Sequence, residues 1–161
     1  STVYEEESNS TLEDEVRHTE NYLELMKDRY EENLIYNIEE AGELERVKVP
    51  RVILQPIVEN CFKHGFGENG FPWIIHVAVT ASYGHWRIHV RNNGRPFQER
   101  DLTELNEKVE GFLKGEQKKI SGIGLTNTII RLRLLYEEQV EYEIYTGNDG
   151  YTYVVLKGNY K

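Results

Sequence analysis

The sequence has a single cysteine, Cys61, in 161 residues, which excludes a disulfide framework and any cysteine-based metal site. That usage suits a reducing, cytoplasmic setting. Basic residues are the minority: 19 Lys and Arg stand against 28 Asp and Glu, for a net charge of −9. A general nucleic-acid binder needs a basic footprint, so that class is excluded and any anionic ligand must be met by local cations. No apolar run approaches the roughly 20 residues that span a bilayer, and the first residues are acidic and polar rather than signal-like. The expectation is no membrane contact by this chain. What is present, 39% hydrophobic residues over this length, suffices for one domain with a real core plus an appendage.

Proline is also scarce, and two of the four, Pro50 and Pro56, fall in the stretch 49–67, VPRVILQPIVENCFKHGFG. Read at helical spacing, Ile53, Leu54, Ile57, Val58, Cys61 and Phe62 share one side, while Gln55, Glu59, Asn60, Lys63 and His64 share the other. The prolines place the helix start near residues 51–53, with Pro56 in the first turn, where N–H groups lack internal partners. A solvated helix face is usually a Glu, Lys and Gln mixture. Asn60 is a poor helix former set one turn from Lys63 and His64, which suggests that its amide has a task.

Residues 1–10 read as an acidic tail. From Thr11, a fair N-cap with Asp14 nearby, Leu12, Val16, Thr19, Leu23, Met26 and Tyr30 recur at heptad-like steps on a helix of about five turns. The stripe suits a helix docked on its own domain, with packing against a partner helix as the alternative. Residues 34–40 read as a strand and 46–49 as a short second one. Residues 73–82 and 85–92 form a hairpin over Tyr83-Gly84, with Trp86, Ile88, Val90 and Asn92 on one face, so a core-facing row ends in a polar side chain that needs a partner. Residues 95–121 are long and polar, with a weak helical pattern through Leu102, Leu105, Val109 and Phe112, and read as a lid that orders when phosphates bind. A helix follows Ser-Gly-Ile-Gly-Leu, and 140–146 with 151–159 make a last hairpin. Hairpins rather than βαβ crossovers indicate an α+β fold, a two-layer sandwich with helices on one face of a mixed or antiparallel sheet.

Gly122 and Gly124 immediately precede that last helix, where glycines let backbone N–H groups and the positive helix end face an anion. The loop is neither a Walker A motif nor the dinucleotide fingerprint, since Asn127 stands where the third glycine belongs. Asn60 with Glu59 offers oxygen ligands to a hard cation. Together with the lid, these signals suggest a Mg²⁺-nucleotide site, although each alone is also compatible with a simple glycine turn or a solvated helix face.

These residues also carry a family likeness. The chain resembles the ATP-binding catalytic domain of LytS/YesM-type sensor histidine kinases, in the gyrase, histidine-kinase and MutL ATPase superfamily. LQPIVENCFKHG, residues 54–65, is similar to that group's N box, and SGIGLTNTIIRLRLLY, residues 121–136, to its G2 box and following helix. TLEDEVRHTENYLELMKDRY, residues 11–30, is similar to the helix leading into the domain. The resemblance implies a Bergerat-type sandwich over 32–161, with 1–31 a tail and linking helix from a dimerisation domain. It implies ATP and Mg²⁺ as ligands, Asn60 on the metal, Lys63 and His64 near the phosphates, and Gly122, Ile123, Gly124 and Leu125 in the phosphate-side loop. Asn92, Gly94 and Thr152 complete the nucleotide set, and the catalytic positions are Glu59 and Asn60. Partners implied are an upstream histidine-bearing dimerisation domain, a response regulator and a second copy in a full-length homodimer, in the cytoplasmic portion of a membrane-anchored sensor.

The sequence departs from the family pattern at two places. The G1 box, Asp-x-Gly-x-Gly, reads Asn92-Asn93-Gly94-Arg95-Pro96 here, so an amide replaces the adenine-reading carboxylate and Pro96 the second glycine. The phosphoacceptor motif, His-Phe-Leu-Phe-Asn, belongs upstream of Thr11, and neither His18 nor His64 has its context. The isolated chain is therefore expected not to phosphorylate itself. A non-catalytic nucleotide-binding or scaffolding relative is the alternative. An ATP-hydrolysing relative fits less well, because its general-base Glu belongs one turn before the Asn, where Pro56 stands.

Overall fold

The computed structural model describes residues 10–67, 70–116 and 124–161. Its five-stranded sheet runs β2 (Leu34–Gly42), β4 (Trp73–Ser82), β5 (His85–Asn92), β7 (Thr152–Asn159) and β6 (Glu141–Thr146). Alternation decides which face is buried. Trp73, Ile75, Val77 and Val79 of β4 and Trp86, Ile88 and Val90 of β5 point into one core, while His76, Arg87, His89 and Arg91 stand on the opposite face, less buried or exposed. The 73–82 and 85–92 strands are as the sequence implies. Their turn, Tyr83-Gly84, has φ of 52° and 79°, the two positive angles that a twisted two-residue hairpin requires.

The topology corrects one expectation. β2 and β4 are parallel, so the chain between them makes a βαβ crossover, whereas β4–β5, β5–β7 and β6–β7 are antiparallel pairs, the first and last of them hairpins. A parallel pair needs a helix-length connection, and the stretch around Asn60 supplies it. The sheet is mixed, and the fold is the expected α+β sandwich.

Helix α1 (Leu12–Tyr30) is capped by Thr11, whose Oγ1 accepts from the Asp14 amide at 3.2 Å. Its stripe is docked on this domain, not left for a partner helix: Leu12, Val16, Thr19 and Leu23 are buried, and Met26 and Tyr30 pack against the same core. Each fully buried aliphatic side chain contributes about 1.5–3 kcal/mol. Ser10 belongs to structure rather than to a tail, since β1 (Ser10–Thr11) pairs with β3 (Lys48–Val49) in a small separate sheet. The strand expected over 46–49 is thus shortened by a 3₁₀ turn at Leu44–Arg46.

Helix α2 (Gln55–Asn60) opens later than expected, with Pro56 in its first turn. The delay has a physical cause: Val52 has φ of 56°, and the amides of Val52, Ile53 and Leu54 donate to the Glu15 carboxylate instead of entering a helix. Beyond Asn60 the helix widens into a π-helical segment, Cys61–Phe66, a form that is frequent at functional sites. The long polar stretch 95–121 realises its weak helical pattern, although residues 117–121 lie outside the described residues. Its middle is helix α3 (Glu99–Leu113), anchored by buried Leu105 and Val109, so the weak apolar pattern there marks a packed helix. Helix α4 (Leu125–Tyr136) then leads to β6.

Candidate functional site

A cavity of about 350 Å³ lies where four elements converge, within the range typical of ligand pockets. The α2 end contributes Asn60, His64 and Gly65; the segment after β5 contributes Arg95, Pro96 and Phe97; α3 contributes Asp101, Glu104, Leu105 and Lys108. The start of α4 adds Gly124, Leu125, Thr126, Asn127 and Ile130, and the first residue of β7, Thr152, closes the floor beside Asn92.

Asn92 is the polar end of the otherwise apolar β5 row and is only 5% exposed. It finds the partners its burial demands. Its Oδ1 accepts from the Gly94 amide at 2.8 Å, and its Nδ2 donates to Cys61 Sγ at 3.3 Å. Cys61 in turn donates to the Ile57 carbonyl at 3.7 Å. Burial pushes the Cys61 thiol up to about 12, with the Asn92 bond pulling the other way, so the thiol stays protonated and is not poised as a nucleophile at neutral pH.

Two glycines make this wall possible. A Cβ on Gly94 would lie 2.2 Å from the Gly65 carbonyl carbon and oxygen, and one on Gly65 would lie 2.9 Å from Asn92 Oδ1. Bare backbone lets the segments touch, and the Arg95 amide donates to the Gly65 carbonyl at 2.5 Å. Asn93 supports the wall from behind: its Oδ1 accepts from Ile74 N at 2.8 Å and its Nδ2 donates to Pro72 O at 2.9 Å. Thr152 Oγ1 donates to the Arg95 carbonyl at 3.3 Å.

The structure brings together Asn60, His64, Asn92, Gly124, Leu125 and Thr152 of the expected set. The Asn60 side chain makes no hydrogen bond to another described residue and is half-buried at the cavity edge. Glu59 and Lys63 do not line the cavity. Glu59 accepts from Gln55 Nε2 at 2.7 Å and lies toward α1, where burial first, and Glu59 next, push the Tyr22 hydroxyl up to about 12. Lys63 is exposed. Gly94 acts through its contact with Gly65, and Gly122 and Ile123 fall outside the described residues. Sequence reasoning missed Arg95 and Lys108, the Arg and Lys side chains that line the cavity among the described residues, and with them Asp101 and Glu104. Asp101, Glu104, Leu105 and Lys108 stand at i, i+3, i+4 and i+7, so the weak helical pattern already read through Leu102, Leu105, Val109 and Phe112 places them on one face once its polar positions are followed too.

No family model matches the chain. Sensor protein LytS of Oceanobacillus iheyensis is 29% identical over 144 residues, 89% of this chain and 24% of that protein. Sensor histidine kinase BtsS of Escherichia coli K12 is 26% identical over 147 residues, 91% of this chain and 23% of that one. The chain thus spans about a quarter of the length of the curated relatives it matches. Among solved structures, the nucleotide-free catalytic domain of histidine kinase ThkA superposes with a TM-score of 0.53 at 18% identity, covering 94% of both chains. ThkA in complex with response regulator TrrA gives 0.56 at 20% identity, over 94% of this chain and 41% of that one. Over about nine-tenths of its length the chain is a homologue of the LytS and BtsS sensor histidine kinases, and it has the fold of histidine-kinase catalytic domains.

Proposed function

We propose that this chain is the ATP-binding catalytic domain of a two-component sensor histidine kinase: it binds Mg²⁺-ATP and presents the γ-phosphoryl group to a histidine on a dimerisation domain upstream in the full-length protein. The observation that carries the reading is the convergence of Asn60 and His64, the Asn92 wall and the Gly124 end of α4 on one cavity. Each part has a chemical task. Asn92 Oδ1 has one lone pair on Gly94 and a second for an amino group of the base. The start of α4, a 12-residue helix, lines the cavity with Gly124, Leu125 and Thr126, so the positive helix end would face a phosphate there, and Arg95 and Lys108 add cationic charge, as a polyphosphate requires.

The donor set fits the metal. Asn60 presents a neutral oxygen with no competing partner among the described residues, and Mg²⁺ characteristically takes one or two protein oxygens and fills its shell from phosphate and water. Bound there, Mg²⁺ would neutralise phosphate charge; the chain's own residues hold the nucleotide, orient it and shield it from water. Phosphoryl transfer is dominated by such positioning, and no general base is required of Glu59.

Residues 1–31 then link from the dimerisation domain to the catalytic unit, and the full-length protein is a membrane-anchored homodimer with this portion cytoplasmic. A response regulator is the downstream partner; ThkA has been solved with one. The non-catalytic alternative rests on Asn92 and Pro96 alone. The test supplies the histidine-bearing domain in trans with γ-labelled ATP. Acid-labile label on that domain supports a kinase, and Mg²⁺-ATP binding without transfer supports the non-catalytic relative.

A further inference from the structure

A carboxylate presents acceptors at both of its terminal atoms, whereas an amide presents an acceptor at one and donors at the other, so half a turn about the last side-chain bond exchanges them. That torsion is broad and nearly two-fold on its own. For a residue that reads a purine the exchange matters. Adenine offers an amino donor where guanine offers a carbonyl acceptor, so the oxygen-forward amide selects adenine and the nitrogen-forward amide selects guanine. The replacement of a carboxylate by Asn92 therefore creates a requirement: something must hold the amide in one orientation.

The structure shows two groups that do so. The Gly94 N–H holds Oδ1 at 2.8 Å, and Cys61 Sγ accepts from Nδ2 at 3.3 Å while its own S–H is directed to Ile57 O at 3.7 Å. In the flipped amide the Gly94 N–H would face a donor, and Cys61 would have to abandon Ile57 to donate to the oxygen. Asn92 and Cys61 are 5% and 4% exposed, so water does not readily replace either bond. Cys61 is not part of the cavity wall and Gly65, which sits against Oδ1, is, so the oxygen is the end nearest the site.

We propose that Cys61 is a positioning residue that keeps the Asn92 amide oxygen toward the cavity and thereby sets the preference of the site for adenine over guanine nucleotides. The inference rests on the nucleotide-binding reading. With the thiol removed, only Gly94 opposes the flip, and the nitrogen-forward state that accepts guanine gains population.

The experiment measures Mg²⁺-ATP and Mg²⁺-GTP dissociation constants by calorimetry for the parent, Cys61→Ala, Cys61→Ser, Asn92→Asp and the double variant Cys61→Ala/Asn92→Asp. Melting curves run alongside, and Cys61→Val replaces Cys61→Ala if the latter does not fold. The parent prefers ATP, Cys61→Ala lowers the ATP-to-GTP preference about fivefold, the weight of one net hydrogen bond, and Cys61→Ser, which still accepts from Nδ2, restores it. In the Asn92→Asp background Cys61→Ala leaves the preference unchanged, because a carboxylate has no orientation to lose. An unchanged preference in Cys61→Ala, or an equal change in both backgrounds, overturns the positioning role while leaving ATP binding intact. A parent that binds neither nucleotide overturns the nucleotide-binding reading itself and this inference with it.

Discussion

The two ends of α2 are built on opposite plans. At its start, backbone groups of 51–54 that no helix satisfies are taken up by side chains from two other elements. Glu15 of α1, 2% exposed, accepts from the amides of Val52, Ile53 and Leu54 at 3.1, 2.6 and 3.2 Å and from Ser10 Oγ at 2.9 Å. Arg131 of α4 donates to the carbonyls of Arg51 and Val52, and Thr128 donates to that of Ile53. At the far end the Asn60 side chain has no protein partner among the described residues, the helix loosens into a π-turn, and Gly65 and Gly94 bring bare backbone to a cavity wall. One end consumes its hydrogen-bonding capacity internally; among the described residues the other leaves it open at the cavity edge. A buried carboxylate is tolerated only where it is fully bonded, so the first end is structural, and the second is the end at which the proposed nucleotide site can be tested.

Breaking the anchored end should have the largest effect. Glu15→Ala leaves three amides without their acceptor, and we expect a loss of about 3–5 kcal/mol, a large part of the stability of a typical domain. Denaturant unfolding checks this, and a loss below about 1 kcal/mol would mean that the carboxylate is not a structural anchor. Gly94→Ala comes next: its Cβ would press on the Gly65 backbone at 2.2 Å, and overpacking of this kind costs about 1–3 kcal/mol. It should also weaken nucleotide binding, whereas Glu15→Ala should act on affinity only through folding. Equal affinity in a folded Gly94→Ala would detach that contact from the site.

Arg131→Ala removes two charge-assisted bonds at a partly exposed position, and about 1 kcal/mol is the expected loss, read as a fall in the urea midpoint with no change in slope. Asn92→Asp sharpens the comparison from the other side. The carboxylate keeps the Gly94 N–H but cannot donate to Cys61, so melting temperature should fall slightly while ATP affinity rises by about 1 kcal/mol, near tenfold or less. A variant less stable than the parent and no tighter in binding would give the amide a structural role only.

How much of this was legible in the sequence follows from the range of each interaction. The heptad stripe of α1, the Tyr83-Gly84 hairpin and the β5 row ending at Asn92 are patterns within about 20 residues, and the structure has them where periodicity puts them. The Glu15 anchor joins residues 37 to 39 positions apart, and in the sequence it is one more acid in an acidic helix. Likewise the β2–β4 crossover is invisible to a reading that pairs adjacent strands, and the late start of α2 follows from the unforeseen anchor. The cavity was half legible. Asn60 and Asn92 stand out because each is a costly residue at its position, whereas Arg95 and Lys108 are ordinary surface residues until α3 is folded over the site.

The central claim is that Asn60, without a protein partner among the described residues, serves a metal-bound nucleotide. Calorimetry of ATP binding to the parent chain and to Asn60→Ala, each with Mg²⁺ and with the metal chelated, tests it most directly. The account predicts Mg²⁺-dependent binding by the parent, weakened about tenfold or more in Asn60→Ala, as loss of a metal ligand or its support typically does, with the difference between the two vanishing when Mg²⁺ is chelated. Equal affinity of the two proteins in Mg²⁺, or no binding by the parent at millimolar ATP, would contradict it.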